Sequence, residues 1–277
     1  MKNKSSLAQK LCASPHIVWS AIFIVVPLVM VLYYAFTDSS GAFTFDNILR
    51  LGDYTTTFLR SIWYGIIATI ICLLIAYPLA YIIAQSKARV QSTMIMLVMV
   101  PMWMNFLLRT YSWMTLLEDN GVINSLLDKI GVGPFHMINT SGAVILGMVY
   151  NFLPYMILPI YSVMTKLDKS LVEAAQDLGA NKVRVLKDVI FPSTLSGVVS
   201  GITMVFVPSV STFYISQKLG GGSFALIGDI IEMQFQISNN FNFGAALSLV
   251  LMILILICMA IMNKFGDDEN AAGGMMI

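Results

Sequence analysis

The sequence predicts an all-α polytopic membrane protein of six transmembrane helices joined by one charged cytoplasmic loop. Three observations carry this. Hydrophobic residues make up 57% of the 277 positions and charged residues only 11%, where a water-soluble domain carries about a quarter charged residues. Six stretches, approximately 17–36, 61–84, 92–117, 142–164, 193–216 and 243–263, are long and apolar enough to cross a hydrocarbon layer as helix, which takes about 20 residues. Between the fourth and fifth lies a charged island, Asp168 to Pro192, whose apolar residues Leu171, Ala175, Leu178, Val185 and Val189 recur at helical spacing, as in an amphipathic helical element outside the bilayer core.

The first stretch follows Lys2, Lys4 and Lys10. Its apolar run is longer than a secretory core and no small-x-small cleavage site closes it, so it reads as a retained span. Residues 1–16 then form an N-terminal segment and 17–264 the membrane domain. Loop 37–60 is polar, with Asp38, Asp46 and Asp53, and is expected along the outer face. The second stretch is flanked by Trp63 and Tyr64 at one end and Tyr77, Tyr81, Lys87 and Arg89 at the other, an arrangement for two membrane interfaces. Its turn to the third stretch is short, so the two helices run antiparallel as neighbours.

The third stretch contains Pro101, Asn105 and Arg109. Asn105 and Arg109, four apart, share one helix face, and polar groups at membrane depth commonly face a bundle interior or an aqueous path. Asn105 is accordingly a candidate for a solute path or for a bond to a neighbouring helix; Arg109 reads as a cation snorkelling to the outer interface. Outer loop 118–141 is expected to hold a short helix around Val122, Leu126, Leu127 and Ile130, and His136 reads as a lone surface residue rather than a ligand. Pro154 and Pro159 bracket Tyr155 in the fourth stretch; such prolines bend spans, either around a path or within a packed bundle.

The fifth stretch opens with small residues, Gly197 and Gly201 forming a G-x-x-x-G that permits close helix approach. It ends with Pro208, Ser209, Ser211, Thr212, Phe213 and Tyr214, suited to a gate or to a kinked packing helix. In loop 217–242, Gly220 to Gly222 lack the Lys and Ser of a phosphate-cradling loop, a pattern absent throughout, so the chain itself is not expected to hydrolyse ATP. Asp229 and Glu232, three apart, are expected as a solvated polar face, with attraction of a cation at an external mouth as the alternative. Residues 265–277 read as a mobile tail.

Basic residues orient the chain. With the N-terminus inside, Lys2, Lys4, Lys10, Lys87, Arg89, Lys166, Lys169, Lys182, Arg184, Lys187 and Lys264 are cytoplasmic, against Arg50, Arg60, Lys129 and Lys218 outside. This bias puts both termini and the charged loop in the cytoplasm. The near-zero net charge gives no basic patch for nucleic acid. Cys12, Cys72 and Cys258 are too dispersed for a disulfide framework or thiolate metal site. No metal is expected.

Within the island, Gly179 suits a left-handed helix end and Asn181 a following cap, giving a corner between two short helices. Glu173 has a local explanation as well, since Ser170 to Glu173 fits a capping box. The run EAAQDLGA followed by VIFP resembles the EAA loop of ABC importer permeases: Glu173, Ala174, Ala175, Gly179 and Pro192 match, while Val189 and Phe191 replace Ile and Leu. The resemblance implies a MetI-like permease fold in a bacterial plasma membrane, with loop 165–192 carrying a cytoplasmic coupling helix. It assigns ATPase coupling to Glu173, Ala174, Ala175, Gly179, Ala180, Asn181 and Pro192.

Wider runs, VPMWMNFLLRTYSWMTLL and KLGGGSFALIGDIIEMQF among them, resemble the spermidine/putrescine branch of this family. That implies import of polyamine by alternating access. The implied partners are a cytoplasmic ABC ATPase dimer that uses the ATP, a second homologous permease, and an extracytoplasmic polyamine-binding protein. No cofactor is expected in the chain itself. Asn105, Tyr155, Ser209, Tyr214, Asp229 and Glu232 are the candidate path residues. Outer segments hold eight acidic residues (Asp38, Asp46, Asp53, Glu118, Asp119, Asp128, Asp229, Glu232) against the four bases, a mouth that attracts polycations. The alternatives are a permease for another small solute, or an ion-coupled secondary transporter. The latter is expected to carry paired acids or histidines in its spans, where only Arg109 is charged.

Overall fold

The computed structural model describes residues 15–222 and 224–273; the expected N-terminal segment lies outside these but for Pro15 and His16, as does the end of the expected tail. The described residues are mainly helical: α1 (Pro15–Ala35), α2 (Thr55–Gln85), α3 (Ala88–Trp103), α4 (Phe106–Leu117), α5 (Val122–Lys129), α6 (Ser141–Met164), α7 (Lys169–Asp177), α8 (Lys182–Ser211), α9 (Tyr214–Leu219), α10 (Ile227–Gln236) and α11 (Phe241–Gly273). Among the described residues five helices are long and apolar enough to span a membrane, and α3 with the helical stretch after it, bent by 89°, counts as a sixth when the pair is taken as one span.

Most expected boundaries hold, and three need correction. The third span is broken at Met104 and Asn105, because Met104 is extended and the Asn105 side chain caps a new helix. The fifth span ends at Ser211 and restarts at Tyr214, so residues 193–216 are not one helix. The last helix continues to Gly273, into the expected mobile tail of residues 265–277. Loop 37–60 is also more structured than its polarity suggests, with a helical turn at Asp46–Leu49 leading through Arg50–Tyr54 into α2.

Two units emerge. The first comprises the chain up to Thr55 and Ile230–Ile253. There Ala35 packs with Ala245, Ala246 and Leu249, and the three alanines let the helices approach closely. Asn242 donates Nδ2 to the carbonyls of Thr37 at 2.7 Å and Tyr34 at 3.2 Å, and Asn47 donates to the Thr37 carbonyl at 2.9 Å. These amides satisfy backbone oxygens freed where α1 ends. Apart from buried Ala35 and half-buried Ser20 and Val31, the residues of α1 are exposed, as suits a helix facing lipid or a neighbouring subunit.

The second unit comprises Thr56–Asp229 and the chain from Leu254. Its spine is the α6–α8 pair. Val144, Met148, Met156, Ile157 and Ile160 of α6 are buried with Val198 and Val205 of α8, and Gly197 and Gly201 lie where the two backbones come closest. The G-x-x-x-G therefore serves packing within the chain. On the α2 side, the Tyr77 and Thr194 hydroxyls hydrogen-bond at 3.1 Å. The α2–α3 turn is closed by Gln91, whose Nε2 donates to the Ala84 and Ser86 carbonyls and whose Oε1 accepts from Tyr161.

Candidate functional site

The charged loop is built from its caps. Asp168, not Ser170, begins α7: its carboxylate accepts the Ser170 N–H at 2.9 Å, and the bonds from the Ser170 backbone and hydroxyl hold its pKa below the ordinary value. Ser170 therefore lies inside the helix, and the expected capping box at Ser170 and Glu173 does not form. Glu173 is left exposed on the wall of a cleft of about 400 Å³, among Gln85, Ser86, Gln91, Thr165 and Gln176.

Helix α7 closes as the sequence requires. Gly179 adopts φ +83°, its N–H meets the Gln176 carbonyl, and the Ala180 N–H meets that of Ala175 at 3.0 Å. This paired closure needs a left-handed residue at the glycine. Asn181 then caps α8, its Oδ1 accepting the Arg184 N–H at 2.9 Å. The second arm of the corner is not a short helix, however; it is the first turns of the 30-residue α8. Wide-turn bonding over Leu186–Ile190 precedes Pro192, whose ring an ordinary turn would force against the carbonyl four residues back.

The expected apolar stripe splits. Val185 is buried at 2% exposure, whereas Leu171 is 51% and Leu178 89% exposed, and Val183, off the stripe, is 72% exposed. The corner thus presents three uncovered aliphatic side chains beside the Glu173 cleft. Ala174 and Asn181 are exposed, and Ala175 and Ala180 half-buried, so the helix is pinned by few contacts of its own chain.

A second feature lies where the third and fifth spans break. An apolar cleft of about 460 Å³ is lined by Phe106, Leu107, Phe152, Pro208, Ser211, Thr212, Phe213 and Tyr214. Of the six candidate path residues, only Tyr214 lines it. Asn105 caps α4, with Oδ1 accepting the Leu107 N–H at 2.8 Å, so it does not share a helix face with Arg109. Ser209 is buried and donates to the Val205 carbonyl of its own helix, and Tyr155 stands against Phe152.

Asp229 is not on a solvated face. It is 9% exposed and accepts from the Ser216 hydroxyl at 2.9 Å and the Leu226 N–H at 2.7 Å, which fixes the start of α10; Glu232, further along α10, is half-buried. Arg109 does not snorkel either. It is 7% exposed, its guanidinium lies 5.9 Å from the Phe106 ring centre, and among the described residues its Nε and Nη1 find no hydrogen-bond partner. His136 pairs with Asp119 at 2.9 Å on the surface. Among the described residues, no cluster of side chains suits a metal ion. Of the aromatic lining, Phe213 belongs to the run that the sequence already suits to a gate or a kinked packing helix, whereas Phe106 and Phe152 escaped the sequence reading; the signal for Phe106 was its place directly after a break.

A family described as binding-protein-dependent transport system inner membrane component matches residues 76–267. The chain belongs to this family. Among its relatives is the spermidine/putrescine transport system permease protein PotB of Haemophilus influenzae, 36% identical over 251 residues, covering 87% of this chain and 88% of that protein. The Escherichia coli K12 protein of the same name is 37% identical over 227 residues, or 78% of this chain and 82% of the relative. A bacterial ABC transporter involved in import of the acidic polysaccharide alginate shares the fold at TM-score 0.74, with 16% identity and 92% of this chain and 93% of that chain covered. The inner membrane component described here is therefore a multi-pass transport permease of the ABC importer kind. Its family match takes in both the charged loop and the aromatic cleft.

Proposed function

We propose that this permease is the membrane subunit of an ATP-driven importer that carries spermidine and putrescine into a bacterial cell. The observation that carries the reading is the 36–37% identity to polyamine permeases across most of the chain. Residues 17–264 form the transport domain, loop 165–192 faces the cytoplasm, and both termini lie on that side. The partners are a cytoplasmic ABC ATPase dimer, a second homologous permease and an external polyamine-binding protein.

The coupling role falls to Glu173, Ala174, Ala175, Gly179, Ala180, Asn181 and Pro192. Leu171, Leu178 and Val183 support it, because uncovered aliphatic side chains at a capped corner suit a protein partner; burying one leucine contributes roughly 2 kcal/mol. The Glu173 cleft accepts a partner side chain beside them. ATP binding closes the ATPase pair and moves the corner. The outer end of the bundle opens with it, provided that the two nucleotide states favour different permease conformations.

The test is uptake of labelled spermidine by the reconstituted complex. Uptake is expected to need ATP and to survive a proton ionophore, and Glu173→Lys is expected to insert normally while losing most transport. Uptake without ATP, or collapse on adding the ionophore, would point to ion coupling. Full transport by Glu173→Lys would remove the coupling role.

A further inference from the structure

The two span breaks meet on a ring system that already holds a cation. Irregular backbone at membrane depth is tolerated where it is buried in protein or lines a cavity, and the cleft walled by Phe106, Phe213 and Tyr214 joins both breaks. Tyr214 belongs to that wall and also to a second group. Its ring centre lies 6.0 Å from Phe106 and 6.1 Å from Tyr111. Lys218, one turn further along α9, places Nζ 5.4 Å from the Tyr111 centre and 5.7 Å from the Tyr214 centre. Within about 6 Å the negative face of a phenol ring attracts a cation.

The lysine side chain is four methylenes ending in a primary ammonium. An aminobutyl end of a polyamine is the same fragment. We propose that Lys218 is a tethered stand-in for the substrate: its ammonium fills the Tyr111–Tyr214 subsite when the path is empty, and a substrate ammonium displaces it. This rests on the polyamine reading above. Two ammonium groups repel at such range, so Lys218 must swing away as substrate arrives. A solute with several ammonium groups regains at other positions what it loses in displacing Lys218; a simple monoamine does not. The methylene spine of the substrate lies along the Phe106 and Phe213 rings of the adjoining cleft.

The experiment is equilibrium binding of labelled putrescine to the purified complex of this chain with its partner permease and ATPase, without the external binding protein, normalised to assembled complex. Lys218→Gln, and Lys218→Met as a second neutral variant, are expected to bind putrescine about fivefold tighter than wild type. Lys218→Arg should stay near wild type. Tyr214→Leu should weaken binding and abolish the gain from Lys218→Gln. Unchanged or weaker binding by both neutral variants overturns the inference while leaving polyamine import standing. A wild-type complex that neither binds nor imports polyamine overturns both.

Discussion

Replacing Gly197 with alanine tests whether the α6–α8 seam is set by backbone contact. A methyl group built at Gly197 falls 2.9 Å from the Pro159 carbonyl oxygen, 3.0 Å from Val163 Cγ2 and 3.1 Å from Ile160 Cα. Two of these three atoms are backbone, so the helices must part. At Gly201 the same methyl meets Met156 Sδ at 2.7 Å and the Met156 carbonyl oxygen only at 3.2 Å, and a flexible thioether can turn aside. Overpacking costs about 1–3 kcal/mol, while glycine to alanine inside a helix returns about 1 kcal/mol. Because a backbone clash falls at the upper end of that cost, Gly197→Ala is expected to be destabilised by up to about 2 kcal/mol net, and Gly201→Ala to lie near neutral. Ser200→Ala is the control, since its hydroxyl is exposed and bonds only within its own helix. Thermal unfolding of the purified protein in detergent reads the difference, with about 2–4 °C expected per kcal/mol. If Gly197→Ala unfolds with Ser200→Ala, or Gly201→Ala falls further than Gly197→Ala, the backbone-contact argument is wrong.

Two other perturbations address particular groups. The Asp168 carboxylate is held below its ordinary pKa by its bonds to Ser170, so its contribution to the first turn of α7 is present above the unfolded value of about 3.9 and is lost as pH falls through the folded one. Protection of the Ser170 amide, its exchange rate relative to the intrinsic rate at each pH, should be high near neutrality and fall only in acid; Asp168→Asn should keep the cap and lose that acid dependence, while Asp168→Ala should leave the amide unprotected at every pH. In the other unit, Asn242→Leu removes the donor to the Tyr34 and Thr37 carbonyls and should destabilise the end of α1 by about 1–2 kcal/mol, seen as faster protease cleavage between residues 36 and 46 with the cleavage pattern of α6 and α8 unchanged.

The spans and the signature loop were legible because their causes are local. A run of apolar residues is a property of consecutive positions, and the Gly179 turn and Asn181 cap depend on a few neighbouring peptides. Breaks within spans were not legible. Residues 92–117 and 193–216 read as continuous apolar runs, and hydropathy does not register that Asn105 can serve its backbone better as a cap than as a helical residue. Asp229 misled for a similar reason: spacing put it on a helix face, but Ser216 and the Leu226 amide, brought from the preceding segment, turn the carboxylate inward. Arg109 was placed by distance along the helix from the outer interface, and the bend at Met104 voids that measure.

Sequence alone determined the membrane class, the positions of the spans, the capped corner at Gly179 and Asn181, and the kinship that the family match bears out. Tertiary structure alone decided which of the polar and aromatic residues face one another. It gathered Tyr111 and Tyr214 around the Lys218 ammonium, left Leu178 uncovered and set Gly197 against the Pro159 carbonyl. The physical reason is range: burial, capping and turn preference act between near neighbours in the chain, whereas ring stacking and helix contact join residues that only folding brings within a few ångströms.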